Sequence, residues 1–376
     1  MNLVKKIIED NIILVEENSA RNLFKNKNII IYGSGEGYVA LQRTTLKKLN
    51  IKPVLIIDKQ FSDNDSLDGI QCCNINIFTK NLELFNDYII VVTIGNVSVA
   101  EDIKLTLKGI GCSDVVWAPD LYEYSLHHQN KKIDNEGVDF FKNQSDCIDE
   151  VYKSLTDEKS RVVFSSLLTR YITGKPAPIP SDTFDEQYIA ADILPIMKNM
   201  NYVCCGAFDG DSIKKVVGVY GKLNSVYSFE PDPHNYSKLC KYISQNINLI
   251  SNSIVNVPCG VYSETKIIKF SGGNSLSSTI DENGDDTIQV VSLDDAISGS
   301  NITYITMDVE GAELEALLGA ENILKQQTPN LAISIYHYPE HLWEIARYLL
   351  SLNLEYKFYI RNYSGFTYES ILYAVK

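Results

Sequence analysis

Residues 202–212 read YVCCGAFDGDS, an apolar run that breaks at Gly206 into a turn holding a second glycine, Gly210, and two aspartates, Asp209 and Asp211. The helical spacing of SIKKVVGVY follows at once. An apolar run that enters a glycine turn and then a helix is how a buried parallel strand hands the chain to the helix covering it. In such a sheet, ligands bind beyond the carboxyl ends of the strands, where loop glycines let backbone N–H groups come close. The competing reading is that the glycines serve only the turn and that Asp211 or Ser212 only caps the helix.

The two aspartates constrain what such a loop can hold. A carboxylate about 5 Å from a phosphate, at an effective dielectric of about 20, costs roughly 3 kcal/mol. That disfavours a dinucleotide pyrophosphate. A ligand with a sulfonium and an ammonium is attracted instead; S-adenosylmethionine carries both, and its carboxylate suits a helix N-terminus. About 24 residues after Gly206, SVYSFEPDP puts Glu230 and Pro231 at the end of the next strand. An acid there accepts both ribose hydroxyls in one contact, although taken alone it reads equally as a solvated acid in a Pro-rich turn.

Around this stretch the strand–helix alternation continues to the end of the chain: SVYSFE, HNYSKLCKYISQ, SIVNVPCGV, TYITMD, AELEALLGAENIL, LAISIYH and EHLWEIARYLL, then the pair EYKFYIR and SILYAV around YSGFT. TKIIKF and TIQVVSL flank the polar SGGNSLSSTIDENGDD, residues 271–286, and predict a hairpin whose tip serves either as a substrate lid or as a plain surface loop. Upstream, KNIIIYG, KPVLIIDK, DYIIVVTIGN and DVVWAP predict a separate array over residues 1–125. Between the two, IDEVYKSLTDEKSRVVFSSLLTRYI and EQYIAADILPIMKNM predict a helical connector over residues 126–199, split by GKPAPIPSD. The expected fold is therefore α/β: two Rossmann-like parallel-sheet domains joined by a helical connector, the second domain spanning 200–376 and ending in an antiparallel strand pair.

Composition sets the outer limits. A chain of 376 residues suits two domains, and 45% hydrophobic residues with a mean hydropathy of −0.09 excludes a disordered chain. The net charge of −14 and pI near 4.9 repel phosphate backbones, and no basic cluster overrides that field, so nucleic acid is not an expected partner. No apolar run reaches the roughly 20 residues of a membrane span, and MNLVKKIIEDNIILVEEN carries acids where a signal peptide needs an apolar core. A cytoplasmic protein is expected. Of eight cysteines, Cys72/Cys73 and Cys204/Cys205 are adjacent and the rest are scattered without a CxxC, which reads as buried reduced thiols.

GAFDGDS, FEPDP, TMDVEGAE at 306–313 and IYHYPEHLWEI at 335–345, in that order, resemble the FkbM-type methyltransferases, which use S-adenosylmethionine to methylate hydroxyl groups, often on sugars. The resemblance covers about the last 180 residues and implies a class I methyltransferase fold there. Carried over by position, it implies that Gly206, Ala207, Asp209, Gly210 and Asp211 line the methionine end of the cofactor, with Cys205, Phe208 and Ser212 in the same loop. It further implies that Glu230, beside Pro231, holds the ribose and that Asp308 faces the reacting centre. Two positions depart from the family pattern: Cys204 stands where an acid is usual, and Thr306 where a lysine is common.

Methyl transfer from a sulfonium is an in-line displacement, so the protein contributes approach geometry and a dry electrostatic setting. A sugar hydroxyl also needs a group within hydrogen-bond reach to take its proton. The candidates are Asp308, Glu310 and His337. His337 is the preferred base because an imidazole ordinarily titrates near working pH, with Asp308 left to orient cofactor and substrate. Each has a structural alternative: a helix-dipole role for Glu310 and for Glu313, a packed imidazole for His337. Asp308, Glu310 and His337 could also supply metal ligands, but no resident metal is expected.

In the first array, IIIYGSGEGY has Gly33, Gly35 and Gly37 after a strand and Asp58 at the end of the next. The spacing is GxGxG, Tyr38 stands at the third glycine of GxGxxG, and Glu36 adds a carboxylate, so the dinucleotide match is weak. A nucleotide-sugar ligand and a scaffold or homodimer-forming role both remain for this domain. The leading expectation is an S-adenosylmethionine-dependent O-methyltransferase acting on a sugar, glycan or surface-polysaccharide precursor. The alternatives are a nucleotide-sugar oxidoreductase using the first domain, or a non-catalytic binding module.

Overall fold

The computed structural model describes residues 2–17, 19–62, 64–85, 87–121, 138–173, 179–271, 279–280 and 286–376. The chain forms two compact units, Met1–Ser145 with Leu168–Ala177 and Asp146–Leu167 with Pro178–Lys376. The segment expected to connect two domains is thus divided between them, the break falling inside the helix Glu158–Thr173.

The first unit is built on β1 (Asn28–Tyr32), β2 (Leu55–Ile57), β3 (Asp65–Leu67), β4 (Ile70–Cys73), β5 (Tyr88–Val92) and β6 (Val115–Trp117), in the order β3-β4-β2-β1-β5-β6. All neighbours pair in parallel except β3 with β4. The near-continuous Ile and Val runs of β1, β2 and β5 are buried, as a sheet covered on both faces requires. After β1 the chain is α-helical only over Glu36–Leu41 and continues as a π-helical turn, Gln42–Leu46. There Thr44 Oγ1 donates to the Ala40 carbonyl at 2.8 Å, competing with the backbone ladder.

The second unit contains β7 (Asn201–Cys205), β8 (Leu223–Phe229), β9 (Ser251–Val257), β10 (Gly260–Val261), β11 (Lys266–Ser271), β12 (Thr279–Ile280), β13 (Asp286–Val291), β14 (Tyr304–Met307), β15 (Asn330–Ser334), β16 (Lys357–Asn362) and β17 (Ser370–Val375). Its main sheet runs β16-β17-β15-β14-β7-β8-β9, parallel from β15 to β9, with β17 antiparallel to both β15 and β16. Strand order reverses between β7 and β14, which creates the crevice where open α/β sheets bind ligands. β11 pairs antiparallel with β13 as the hairpin reading expects. Most of the polar stretch 271–286, read as a lid or loop, lies outside the described residues.

Apolar strand runs explain β7 and β14, both buried throughout. Their tyrosines Tyr202 and Tyr304 stack at 5.6 Å, and the Tyr202 and Thr306 hydroxyls meet at 2.6 Å. The two departures from the family pattern are neighbours here: Thr306 pairs in register with Cys204. Both are neutral and buried, so the strand pair contains no unbalanced charge at the place where each change alone would leave one. None of the eight cysteines is oxidised; six are buried, while Cys147 and Cys240 are only half-buried.

Two helical expectations are corrected. EQYIAADILPIMKNM is not a helix: a 3-10 turn at Phe184–Glu186 gives way to turns, Tyr188 has a left-handed φ of 69°, and Pro195 restricts Leu194 and removes an N–H donor. AELEALLGAENIL is two helices, Glu313–Leu318 and Glu321–Gln327. The break is at Gly319, where a Cβ would lie 2.0 Å from the Tyr262 carbonyl oxygen.

Arg361 ties the non-sheet parts of this unit to its edge. Its side chain on β16 is 1% exposed and donates to Asp157 Oδ2 at 2.6 Å, Asp192 Oδ2 at 2.7 Å and Ser160 Oγ at 3.0 Å. Removing one member of a buried ion network leaves the others without compensation, at about 3–5 kcal/mol when all are buried. Asp157 and Asp192 retain some solvent, so Arg361→Ala is expected to lower unfolding stability by about 2–3 kcal/mol. Urea unfolding measures this; a change below about 0.5 kcal/mol would mean that solvent already screens the network.

Candidate functional site

A cavity of about 840 Å³ opens in the second unit beyond the carboxyl ends of β7, β8 and β14. The loop after β7 shapes one wall. Gly206 has φ 77°, and a Cβ there would lie 1.8 Å from the Asp308 carbonyl oxygen, so only glycine lets the ends of β7 and β14 approach this closely. The amides of Gly206 and Ala207 both donate to the Phe229 carbonyl at 3.0 Å, which ties the loop to the end of β8 as well. The following helix, Asp211–Tyr220, starts from Gly210 at φ 97° with no side-chain cap. The left-handed turn puts a glycine at the cap position, and Asp211, one residue inside the helix, accepts from the Ser212 amide with its own Oδ1 at 2.7 Å.

Glu230 stands at the centre of the site. It is 6% exposed; its Oε2 accepts from the Phe208 amide at 2.8 Å and its Oε1 from the Asp232 amide at 2.9 Å. Burial raises its pKa to about 7; the two amides oppose the rise, while Asp232 and Glu310 add to it. The reading of Glu230 as a solvated turn acid is corrected by this burial, since the carboxylate is fixed and directed at the cavity.

The expected loop residues do not all reach the cavity. Gly206, Phe208, Asp211, Ser212, Glu230, Pro231 and Asp308 line it. Cys205 and Ala207 are buried beneath the strand end, and Gly210 packs under the Tyr242 ring, so these act as structure behind the wall. Asp209 is half-buried and does not line the cavity either.

Asp308 follows β14, and two phenols aim at it: Tyr188 Oη donates to Oδ2 at 2.8 Å, and Tyr336 Oη approaches both oxygens at 3.2 Å. Burial, reinforced by Asp308, raises both phenol pKa values well above 10, so both serve as hydrogen donors. Glu310 (φ 54°) and Gly311 (φ 97°) turn the chain sharply after it. That turn brings Glu313, 0% exposed, under His337: Oε1 lies 2.9 Å from His337 Nδ1 and also accepts from the Val309 amide at 2.9 Å, while Oε2 lies 3.2 Å from His341 Nδ1. His337 Nε2 points the other way, 3.5 Å from Asp308 Oδ1 and 3.4 Å from Glu310 Oε2.

These surroundings change the expectation for His337. Burial alone would lower its pKa, but Glu313, Glu310 and Asp308 outweigh that and hold it well above 6.5. Burial raises the pKa of Glu313, yet the two imidazoles overcome it and keep the carboxyl well below the usual range. His337 is therefore not an imidazole that exchanges its proton freely near neutral pH. Glu313 also does more than meet a helix dipole, because it is the partner of both imidazoles.

Tyr188, Tyr336, Gln187 and Glu369 belong to this site and were not singled out from the sequence. Tyr336 adjoins His337 within the motif IYH, which was a usable signal. Tyr188 and Gln187 come from the segment that reads as connector, and Glu369 from the turn before β17, so only the chain path brings them here. Glu369 accepts from Gln187 Nε2 at 2.6 Å. Burial and then Asp308 raise its pKa to about 7, against Gln187, His337 and Lys215.

In the first unit, Asp58 Oδ2 accepts from the Ser34 amide at 2.9 Å and from Ser34 Oγ at 2.7 Å. A Cβ on Gly37 would lie 1.9 Å from the Thr93 carbonyl oxygen. The acid and this glycine are thus engaged by the unit's own packing.

The strand order and the crevice define a class I methyltransferase fold. Residues 205–361 match the family model described as Methyltransferase FkbM domain. The crystal structure of methyltransferase FkbM from Methylobacillus flagellatus KT is similar at a TM-score of 0.77 and 19% identity, covering 99% of this chain and 100% of that one, which is a likeness of fold. A fibrillarin from Aeropyrum pernix (TM-score 0.32, 9% identity, 48% of this chain and 69% of that one) and an rRNA methylase from Streptococcus thermophilus (0.32, 15%, 48% and 90%) are more distant. No curated protein matches the chain. No helix among the described residues is long and apolar enough to cross a membrane.

Glu230 and Glu369 generate a pH prediction. A carboxyl with a folded pKa of about 7 and an ordinary unfolded value near 4.5 binds its proton more tightly in the folded chain. The folded state is therefore favoured below about pH 4.5 by these groups and loses that contribution as pH rises to about 7. Glu369→Gln should raise the melting temperature at pH 8 relative to wild type, with the gain shrinking by pH 5. Thermal unfolding at both pH values measures it, and an equal shift at both would mean that Glu369 is ordinary in acidity.

Proposed function

We propose that the second unit transfers a methyl group from S-adenosylmethionine to a hydroxyl of a sugar, glycan or related surface-polysaccharide precursor. The observation that carries the cofactor is Glu230, a buried carboxylate at the end of β8 that faces the cavity beside a loop where only glycine fits. Asp211, Glu230, Asp232, Asp308, Glu310 and Glu369 make the lining acidic. Such a lining suits a cofactor with two cationic centres and opposes a pyrophosphate. When bound, the cofactor supplies an activated methyl group on sulfur.

The chain's own residues do the rest. Glu230 accepts the ribose hydroxyls through lone pairs left free by the Phe208 and Asp232 amides. Tyr188 and Tyr336 fix the Asp308 carboxylate. The acceptor's proton leaves into the cluster of Asp308, Glu310 and His337, where Glu310, with a side chain 41% exposed, is the member that meets the acceptor first. His337 acts behind it, oriented by Glu313. The half-polar lining suits a hydroxyl-rich acceptor, and no feature of the cavity calls for a nucleic-acid backbone. The first unit is read as a scaffold or self-association domain, because Asp58 and Gly37 are already engaged.

Calorimetric titration of the full chain with S-adenosylhomocysteine tests this. Binding on the order of micromolar is expected, weakened at least about tenfold by Glu230→Ala, with no binding of NAD. Binding of NAD alone, or no binding of S-adenosylhomocysteine by the wild type, would reject the cofactor. Incorporation of labelled methyl into periodate-sensitive acceptors from the source cells then tests the sugar reading.

A further inference from the structure

We propose that Phe184 and Phe208 form a stacking subsite at the solvent-facing rim of this cavity, where the acceptor presents the C–H face of a sugar ring. The inference rests on the methyl-transfer reading for the presence of a hydroxyl-bearing acceptor, and it adds the side chains that recognise the acceptor's ring.

Among the described residues, only two of the Phe, Tyr and Trp residues are exposed: Phe184 at 50% and Phe208 at 37%. Both line the one cavity, although they come from different segments. An aromatic ring left in water forgoes the gain of burial. Two such rings on a single concave wall are what a ligand-contacting surface requires.

Neither ring is a loose surface side chain. Phe184 opens the 3-10 turn Phe184–Glu186, and the partly buried Lys215 holds it: Nζ sits 3.8 Å from the ring centroid and donates to the Phe184 carbonyl at 2.9 Å. The ammonium therefore occupies one face of the ring. The same short segment continues into Gln187 and Tyr188, which bond to Glu369 and Asp308, so Phe184 belongs to the stretch that reaches the Asp308 end of the site.

Phe208 has a left-handed φ of 46°, and its amide donates to Glu230 Oε2 at 2.8 Å. The turn is needed for that hydrogen bond, but the phenyl ring is not. Glycine or asparagine adopts this backbone with less strain and presents the same amide. A bulky residue in such a conformation is a strained position of the kind found at ligand sites.

Depth separates the rings from the cofactor's place. Glu230, Val261 and Val290 are buried and form the deep part of the cavity, whereas the two rings share the exposed rim with Glu310, the residue that meets the acceptor first. The rim thus offers apolar ring faces together with the carboxylates of Glu310, Asp308 and Glu369. A sugar ring answers both: its weakly positive C–H face stacks on the electron-rich face of a phenyl ring, and its hydroxyls donate to carboxylates. A wholly apolar ring would desolvate those carboxylates without giving them donors, and a phosphate-bearing ligand would be repelled by them.

The test screens the full chain, loaded with S-adenosylhomocysteine, against an immobilised panel of neutral glycans that spans the common pyranoses and 6-deoxypyranoses; the strongest binder is then titrated in solution. Saturable binding is expected for at least one glycan. Phe184→Ala and Phe208→Asn should each weaken it at least about fivefold, while S-adenosylhomocysteine affinity stays within about threefold of wild type. Phe184→Tyr, which keeps a ring, should bind glycan within about threefold of wild type. Asparagine tolerates the left-handed turn, so Phe208→Asn should melt no lower than wild type, and this arm stands even where Phe184→Ala does not fold. Either ring-removing variant binding glycan within about twofold of wild type would overturn the two-ring subsite. A parallel loss of S-adenosylhomocysteine affinity would overturn it too, because the rings would then serve the cofactor. Binding to no glycan of the panel would remove the subsite together with the sugar reading. S-adenosylhomocysteine binding by the wild type, measured first, isolates failure of the cofactor reading, and the panel is then read on the unloaded chain.

Discussion

The backbone contact between Gly206 and Asp308 is the constraint from which the site follows. A Cβ at Gly206 would overlap the Asp308 carbonyl oxygen, so a side chain there would force apart the ends of two strands that pair in register along their whole length. Keeping those ends together at the reversal of strand order sets the cavity's floor. It also puts the Gly206 loop beside the Asp308 turn, although about a hundred residues separate them in the chain. The tie from the Gly206 and Ala207 amides to the Phe229 carbonyl extends the same junction to β8, and through it to Glu230.

On that floor the site divides into two electrostatic regions. Around Glu230, one carboxylate is desolvated and partly compensated by backbone amides, which leaves a hydrogen-bond acceptor of high proton affinity. Around Asp308, carboxylates, phenols and imidazoles compensate one another, and the arrangement depends on Glu313. That residue reaches His337 and His341 only because Glu310 and Gly311 adopt left-handed backbone conformations directly after β14. A β-branched residue at either position would resist such a turn, and the carboxylate would lose its place beneath the imidazole.

The pair Cys204 and Thr306 illustrates how a departure from a family pattern is absorbed. Seen singly, each replaces a charged residue with a neutral one and raises doubt about the site. Seen across the β7–β14 ladder, they are neighbours in register, both neutral, and the Tyr202 hydroxyl bonds to Thr306. A buried ion pair and a neutral hydrogen-bonded pair of similar volume are close in free energy, whereas half of either is costly. The wall facing the cavity is left to other residues.

The sequence by itself determined the two α/β arrays, the antiparallel terminal pair, the glycine loop and the candidacy of Glu230, Asp308, Glu310 and His337. Each of these depends on short-range rules: apolar runs make buried strands, glycine permits the turn, and an acid at a strand end marks the ligand side of a parallel sheet. Tertiary structure alone decided which of those residues face the cavity and in what protonation environment. Cys205 and Ala207 lie in the expected loop yet are buried behind it, and Glu369, Gln187 and Tyr188 arrive from segments without a motif. An imidazole's acidity was equally beyond the sequence, because it is set by carboxylates converging from separate turns, and Coulomb interactions depend on distance in space rather than along the chain.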